Sequence, residues 1–130
     1  MNSYKKLIPC IYLSDKKAVA GFQDSTVISE DPAALARFYG ENNADELIVF
    51  DLSSEDEAHE EALDMIQIIC SQAQIPVIGA GNVKRMEDIK KLLYAGCAKA
   101  ALNYSKEDNV ELTREVSLKF GKEKIVAGIA

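Results

Sequence analysis

The residue types that could do chemistry fall where successive strands should end: one carboxylate, a glycine turn and a row of small polar side chains. The glycine turn, Gly79-Ala80-Gly81, lies within Ile75–Ser105 (IPVIGAGNVKRMEDIKKLLYAGCAKAALNYS), which reads as strand, glycine loop, helix and second strand. Backbone N–H groups of such a loop, together with a helix amino terminus, suit a phosphate. Gly81, Asn82 and Asn103 are therefore the candidate phosphate contacts, with Tyr104 and Ser105 beside them. Asp51 is the one carboxylate in the row, so no acid and base stand paired there. A strand-end Asp also caps the turn that follows it, and a glycine turn also forms without a ligand.

Other chemistries fit poorly. The third glycine of a dinucleotide fingerprint would be Lys84, and the loop follows the third strand, so no cofactor is implied. Cys10, Cys70 and Cys97 are odd in number, widely spaced and outside any CxxC pair, as expected of three reduced thiols in or near a core. The single histidine, His59, sits in the acidic run Glu55–Glu61 and reads as part of a solvated helix face; no metal site is expected. With 21 acidic and 15 basic residues and a net charge of -6, the chain offers no basic stripe for nucleic acid or an anionic membrane. Its first apolar run stops at Ser14 and Asp15, too soon for a signal peptide or a spanning helix, so a cytoplasmic location is expected.

The elements that must position these groups follow from periodicity and punctuation. The 130 residues suit one domain, residues 1–130. Lys6–Leu13 reads as a first strand, with Pro9 confined to an edge or bulge. Ser14–Glu30 is a long polar connection with room for a short hairpin around Ala18–Gly21. Asp31 then caps a helix whose first position is Pro32 and which ends near Asn42 or Asn43. Strand Glu46–Asp51, helix Glu55–Ala73, strand Ile75–Gly79, helix Arg85–Ala95 with Gly96 as its left-handed cap, strand Lys99–Asn103, helix Asn109–Phe120 and strand Lys124–Ile129 complete the order. A βα unit repeated four times and closed by a strand implies parallel pairing with helical crossovers. The fold class is α/β: a (βα)4 half of a TIM barrel plus a fifth parallel strand, or an open flavodoxin-like doubly wound sheet.

Several runs carry a specific resemblance. IPC near the amino terminus, DPAALARFY, ADELIVFDL, IPVIGAGNV, LLYAGCAKAALN and KFGKEKIVAGIA together resemble the amino-terminal half of the cyclase subunit of imidazole glycerol phosphate synthase. The resemblance implies a half barrel from a family that closes an imidazole ring in histidine biosynthesis, using ammonia from a glutaminase partner. The family's two catalytic aspartates fall on Tyr12 and Ala130, and its first-loop lysine falls on Ala20 before Gly21. Its triple-glycine turn falls on Ala80, Gly81 and Asn82; its asparagine after strand four is Asn103, and the neighbouring threonine becomes Tyr104. Asp51 matches an aspartate that the family also carries at the end of strand two.

A non-catalytic, cyclase-related half barrel follows, acting as a phosphate-ligand-binding or interaction module. A half barrel leaves its inner face and outer edges open, which points to self-association or to a complementary half barrel as partner. Two alternatives stand beside it: half of a cyclase completed by another chain, and a receiver-like signalling module with Asp51 as phosphoacceptor.

Overall fold

The computed structural model describes residues 6–83, 85–103 and 107–128. Its elements are β1 (Cys10–Ser14), β2 (Lys17–Gly21), β3 (Asp24–Ser29), α1 (Pro32–Glu41), β4 (Leu47–Asp51), α2 (Asp56–Ala73), β5 (Val77–Ala80), α3 (Met86–Ala95), β6 (Lys99–Asn103), α4 (Glu107–Phe120) and β7 (Ile125–Gly128), with a 3-10 turn at Lys122–Lys124. They form one sheet in the order β3-β2-β1-β4-β5-β6-β7. From β1 through β7 the neighbours β1-β4-β5-β6-β7 are parallel and consecutive.

That consecutive order decides between the two expected architectures. Right-handed crossovers that always step the same way put every helix on one face of the sheet, as in a barrel. A doubly wound sheet reverses direction after its first strand and is covered on both faces. The half-barrel reading holds, and the flavodoxin-like alternative does not.

The stretch between β1 and α1 holds the hairpin for which Ala18–Gly21 left room, but a longer one, and one joined to the sheet. Ser14–Glu30 is no loose connection: β2 and β3 form a hairpin that pairs antiparallel with β1 and takes the sheet from five strands to seven. The β1–β2 turn uses Asp15 (φ 51°) and Lys16 (φ 64°), both left-handed, which matches the twist of a two-residue hairpin turn. Such turns usually announce themselves by Asn-Gly or Asp-Gly, and Asp-Lys gives no such signal. β2 covers only Tyr12, Leu13 and Ser14 of β1, whereas β4 pairs with Cys10 through Leu13 on the other side. Pro9 sits just ahead of β1 rather than inside it, and its carbonyl still accepts from Ile48 N at 3.0 Å.

The core lies between sheet and helices. Alternate residues Ile11 and Leu13 of β1, Leu47 and Val49 of β4, and Ala100 and Leu102 of β6 meet Ala33 and Ala36 of α1, Ile66 and Ile69 of α2, Ile89 and Leu92 of α3, and Val116 of α4. Full burial of each large aliphatic side chain contributes about 1.5–3 kcal/mol. The opposite face carries half-buried Cys10, Tyr12, Ile48 and Phe50 beside buried Ile78 and Ala80, and none of the described helices lies over it. No helix among the described residues is long and apolar enough to cross a membrane.

Helix ends follow the sequence signals. Asp31 Oδ1 accepts from Ala34 N at 3.1 Å and Pro32 opens α1; Gly96 (φ 114°) ends α3. α1 meets α2 through Gly40, where an added Cβ would stand 2.1 Å from the Ala73 carbonyl oxygen, a backbone atom that cannot rotate away. Gly40→Ala is expected to push the two helices apart at a cost of about 1–3 kcal/mol, read as a lower urea midpoint at unchanged m-value.

Candidate functional site

In barrels of this kind ligands meet the carboxyl ends of the parallel strands, and here two separate clusters occupy that rim. The first is aromatic. Tyr12 on β1 and Phe50 on β4 are direct cross-strand partners, and their rings stack at 5.1 Å with an interplanar angle of 10°. Phe22, in the turn joining β2 to β3, closes edge-on over both, 4.9 Å from each. Each aromatic contact of this geometry adds about 0.5–1.5 kcal/mol beyond burial. Burial first, and then Cys10 beside it, raise the Tyr12 hydroxyl above its ordinary value, so it stays neutral at physiological pH and supplies no base. Phe22 is 63 % exposed, so the cluster is open to solvent on that side.

The second cluster surrounds Asp51, which is 4 % exposed. Its Oδ1 accepts from Ser53 N at 2.9 Å, the turn-capping role that a strand-end aspartate often plays. Its Oδ2 meets Nδ1 of His59 at 2.5 Å. His59 therefore departs from the solvated face expected of it: it lies one turn into α2, where the helix rises directly beyond the β4 end, and its side chain is 17 % exposed. With Nδ1 donating to Asp51, Nε2 is buried and has no hydrogen-bond partner among the described residues. Nothing in the acidic run Glu55–Glu61 signals this; the only available hint was the Asp51–His59 spacing across a strand end and a helix start.

The glycine turn is bound to the same place. Gly81 (φ 83°) lies so close to β4 that an added Cβ would stand 2.4 Å from the Asp51 carbonyl oxygen and 2.9 Å from its nitrogen. Asn82 (φ 52°) turns its amide toward the β4–α2 loop, donating from Nδ2 to the Ser53 carbonyl at 2.7 Å and to Ser53 Oγ at 2.9 Å. Asn103 ends β6 opposite Gly128 in register, so the structure leaves it two strands away from Asp51. Tyr104, Ser105 and Ala130 lie outside the described residues.

Between the α2 and α3 amino termini opens a cleft of about 210 Å³, lined by Ser53, Ser54, Glu55, Asp56, His59, Asn82, Arg85 and Asp88. Among the described residues that line it, three carboxylates stand against one guanidinium, a balance unfavourable to an anion. Arg85 N donates to Asp88 Oδ2 at 3.0 Å, which opens α3 and occupies part of that charge. Among the described residues no three His, Cys, Asp or Glu side chains group as metal ligands.

Comparison with known proteins places this geometry in a lineage. Imidazole glycerol phosphate synthase subunit HisF of Exiguobacterium sibiricum is 34 % identical over 127 residues, which are 96 % of this chain and 51 % of the relative. The HisF subunits of Halalkalibacterium halodurans and Dictyoglomus turgidum are 35 % and 31 % identical, again over 96 % of this chain and 50 % of theirs. The chain thus spans about half the length of the curated relatives it matches. The model of the histidine biosynthesis protein family matches residues 6–130, and the chain belongs to that family.

Proposed function

We propose that this chain is a cyclase-derived half barrel without proton-transfer chemistry, and that its helix-free sheet face is an interaction surface for a second half barrel, in the first place another copy of itself. The observation that carries the reading is Tyr12. On the resemblance to the cyclase subunit it replaces a catalytic aspartate, and it is packed between Phe50 and Phe22. A neutral phenol held in an aromatic cluster cannot take up the proton that a carboxylate base would abstract, and each such group is worth about 10²- to 10⁴-fold in rate. The phosphate reading of Gly81, Asn82 and Asn103 has less support, since Asn82 spends its amide on Ser53 and carboxylates dominate the adjoining cleft.

Association follows from the same face. Its half-buried apolar residues lack a helix cover, β2 pairs with only the last three residues of β1, and relatives twice as long carry a further half of chain. Light scattering on the purified chain is expected to give the mass of two copies, and Phe22→Glu, on an already exposed ring, to return it to one. A chain that stays single at high concentration, or a pair indifferent to Phe22→Glu, overturns the self-association. In the same preparation the family's ribonucleotide substrate with ammonium salts is expected to show no turnover above background. Measurable turnover would instead support a half cyclase, a reading favoured only by the half-length match.

A further inference from the structure

Two thiols far from the aromatic cluster stand close enough to react with each other. Cys70, in the last turn of α2, holds its Sγ 3.9 Å from Sγ of Cys97, which directly follows the glycine that ends α3. Gly96 makes the approach possible: an added Cβ there would lie 3.0 Å from Cys70 Cβ. Cys97 is 5 % exposed and lies against Leu92 of α3 beside Gly79, whereas Cys70 is only half-buried, the more exposed of the two. Disulfide sulfurs lie about 2.05 Å apart, so roughly 2 Å of side-chain movement separates the thiol pair from a bond. Cys10 is a poor competitor, because strand alternation puts it on the helix-free face with Tyr12, across the sheet from the pair.

We propose that Cys70 and Cys97 form a dithiol modification site that closes to an intramolecular disulfide by exchange with a low-molecular-weight disulfide such as oxidised glutathione. The Cys70 thiolate attacks one sulfur of the small disulfide, giving a mixed disulfide and one small thiolate, which takes up the proton that Cys70 released. Cys97 then loses its proton and attacks the Cys70 sulfur; the second small thiolate leaves and takes that proton. Both protein sulfurs are oxidised, the small disulfide is reduced to two thiols, and no further reactant is needed. The order of attack fits the local chemistry. The Cys97 thiol hydrogen-bonds to Cys70 and lowers its pKa, while that shared proton and burial hold Cys97 in the thiol form. The bond ties α2 to the corner that leads into β6, enclosing β5, the glycine turn and α3 in one closed loop.

The native chain, treated with excess oxidised glutathione and then alkylated, decides the matter. The free-thiol titre is expected to fall from three to one, with the loss of two hydrogen masses, a linked peptide pair containing Cys70 and Cys97, and alkylation at Cys10. Closure is expected at oxidised glutathione levels at least tenfold lower in the folded chain than in urea, and Cys97→Ser is expected to trap glutathione on Cys70. Three unreacted thiols, a glutathione adduct that persists on the native chain, or a bridge to Cys10 overturns the proposal.

Discussion

Gly81→Ala will be among the most damaging single substitutions in this domain, lowering its stability by about 2–5 kcal/mol. Two costs add at one position. A side chain at φ 83° pays about 1–2 kcal/mol for left-handed backbone, and the new Cβ meets the Asp51 backbone at 2.4 Å, an overpacking worth about 1–3 kcal/mol. Asp51 has little room to move aside, since it stands in register with Leu13 of β1 and its carboxylate holds Ser53 and His59. A domain of this size has a total stability on the order of 5–15 kcal/mol, so the thermal midpoint should fall by roughly 10 °C or more. Gly21→Ala is the control, because nothing lies within 4 Å of a Cβ built there; a comparable fall in both variants would sink the close-approach explanation.

Asp51→Ala will lower stability by about 2–4 kcal/mol, a structural effect rather than a loss of chemistry. It removes the acceptor of Ser53 N and takes its partner from the buried His59 ring, whose Nε2 has none among the described residues. Asp51→Asn retains an acceptor for Ser53 N and should cost about half as much. The pair is diagnosed by a double-mutant cycle. Asp51→Ala and His59→Ala together should cost less than the sum of the two, with a coupling of at least about 1 kcal/mol in chemical denaturation. Additive losses would show that the contact contributes nothing beyond the separate burial of each side chain.

These two positions also show how far the sequence could be read. The glycine of IPVIGAGNV was visible as special, but whether its amides faced a ligand or its missing side chain let two strands approach is a question about Asp51, thirty residues earlier in the chain. His59 was hidden for the opposite reason. Its neighbours are acidic and exposed, and only the placement of α2 over the end of β4 folds the ring inward. Room for a hairpin around Ala18–Gly21 was legible, but its pairing with β1 was not, because Asp15 and Lys16 take left-handed conformations that their types rarely advertise; with that pairing escaped Phe22, which the hairpin carries onto Tyr12 and Phe50.

The alternation of strands and helices, the caps at Asp31 and Gly96 and the apolar stripes were set by local sequence alone, because propensity, capping and amphipathic period act over a few residues. Strand order, by contrast, belongs to the tertiary structure: consecutive pairing sends the described helices to one face of the sheet. The same holds for the Asp51–His59 pair and the Cys70–Cys97 thiols, 8 and 27 residues apart in sequence. Such contacts form only where packed elements bring distant side chains within a few ångströms, and no local pattern encodes that distance.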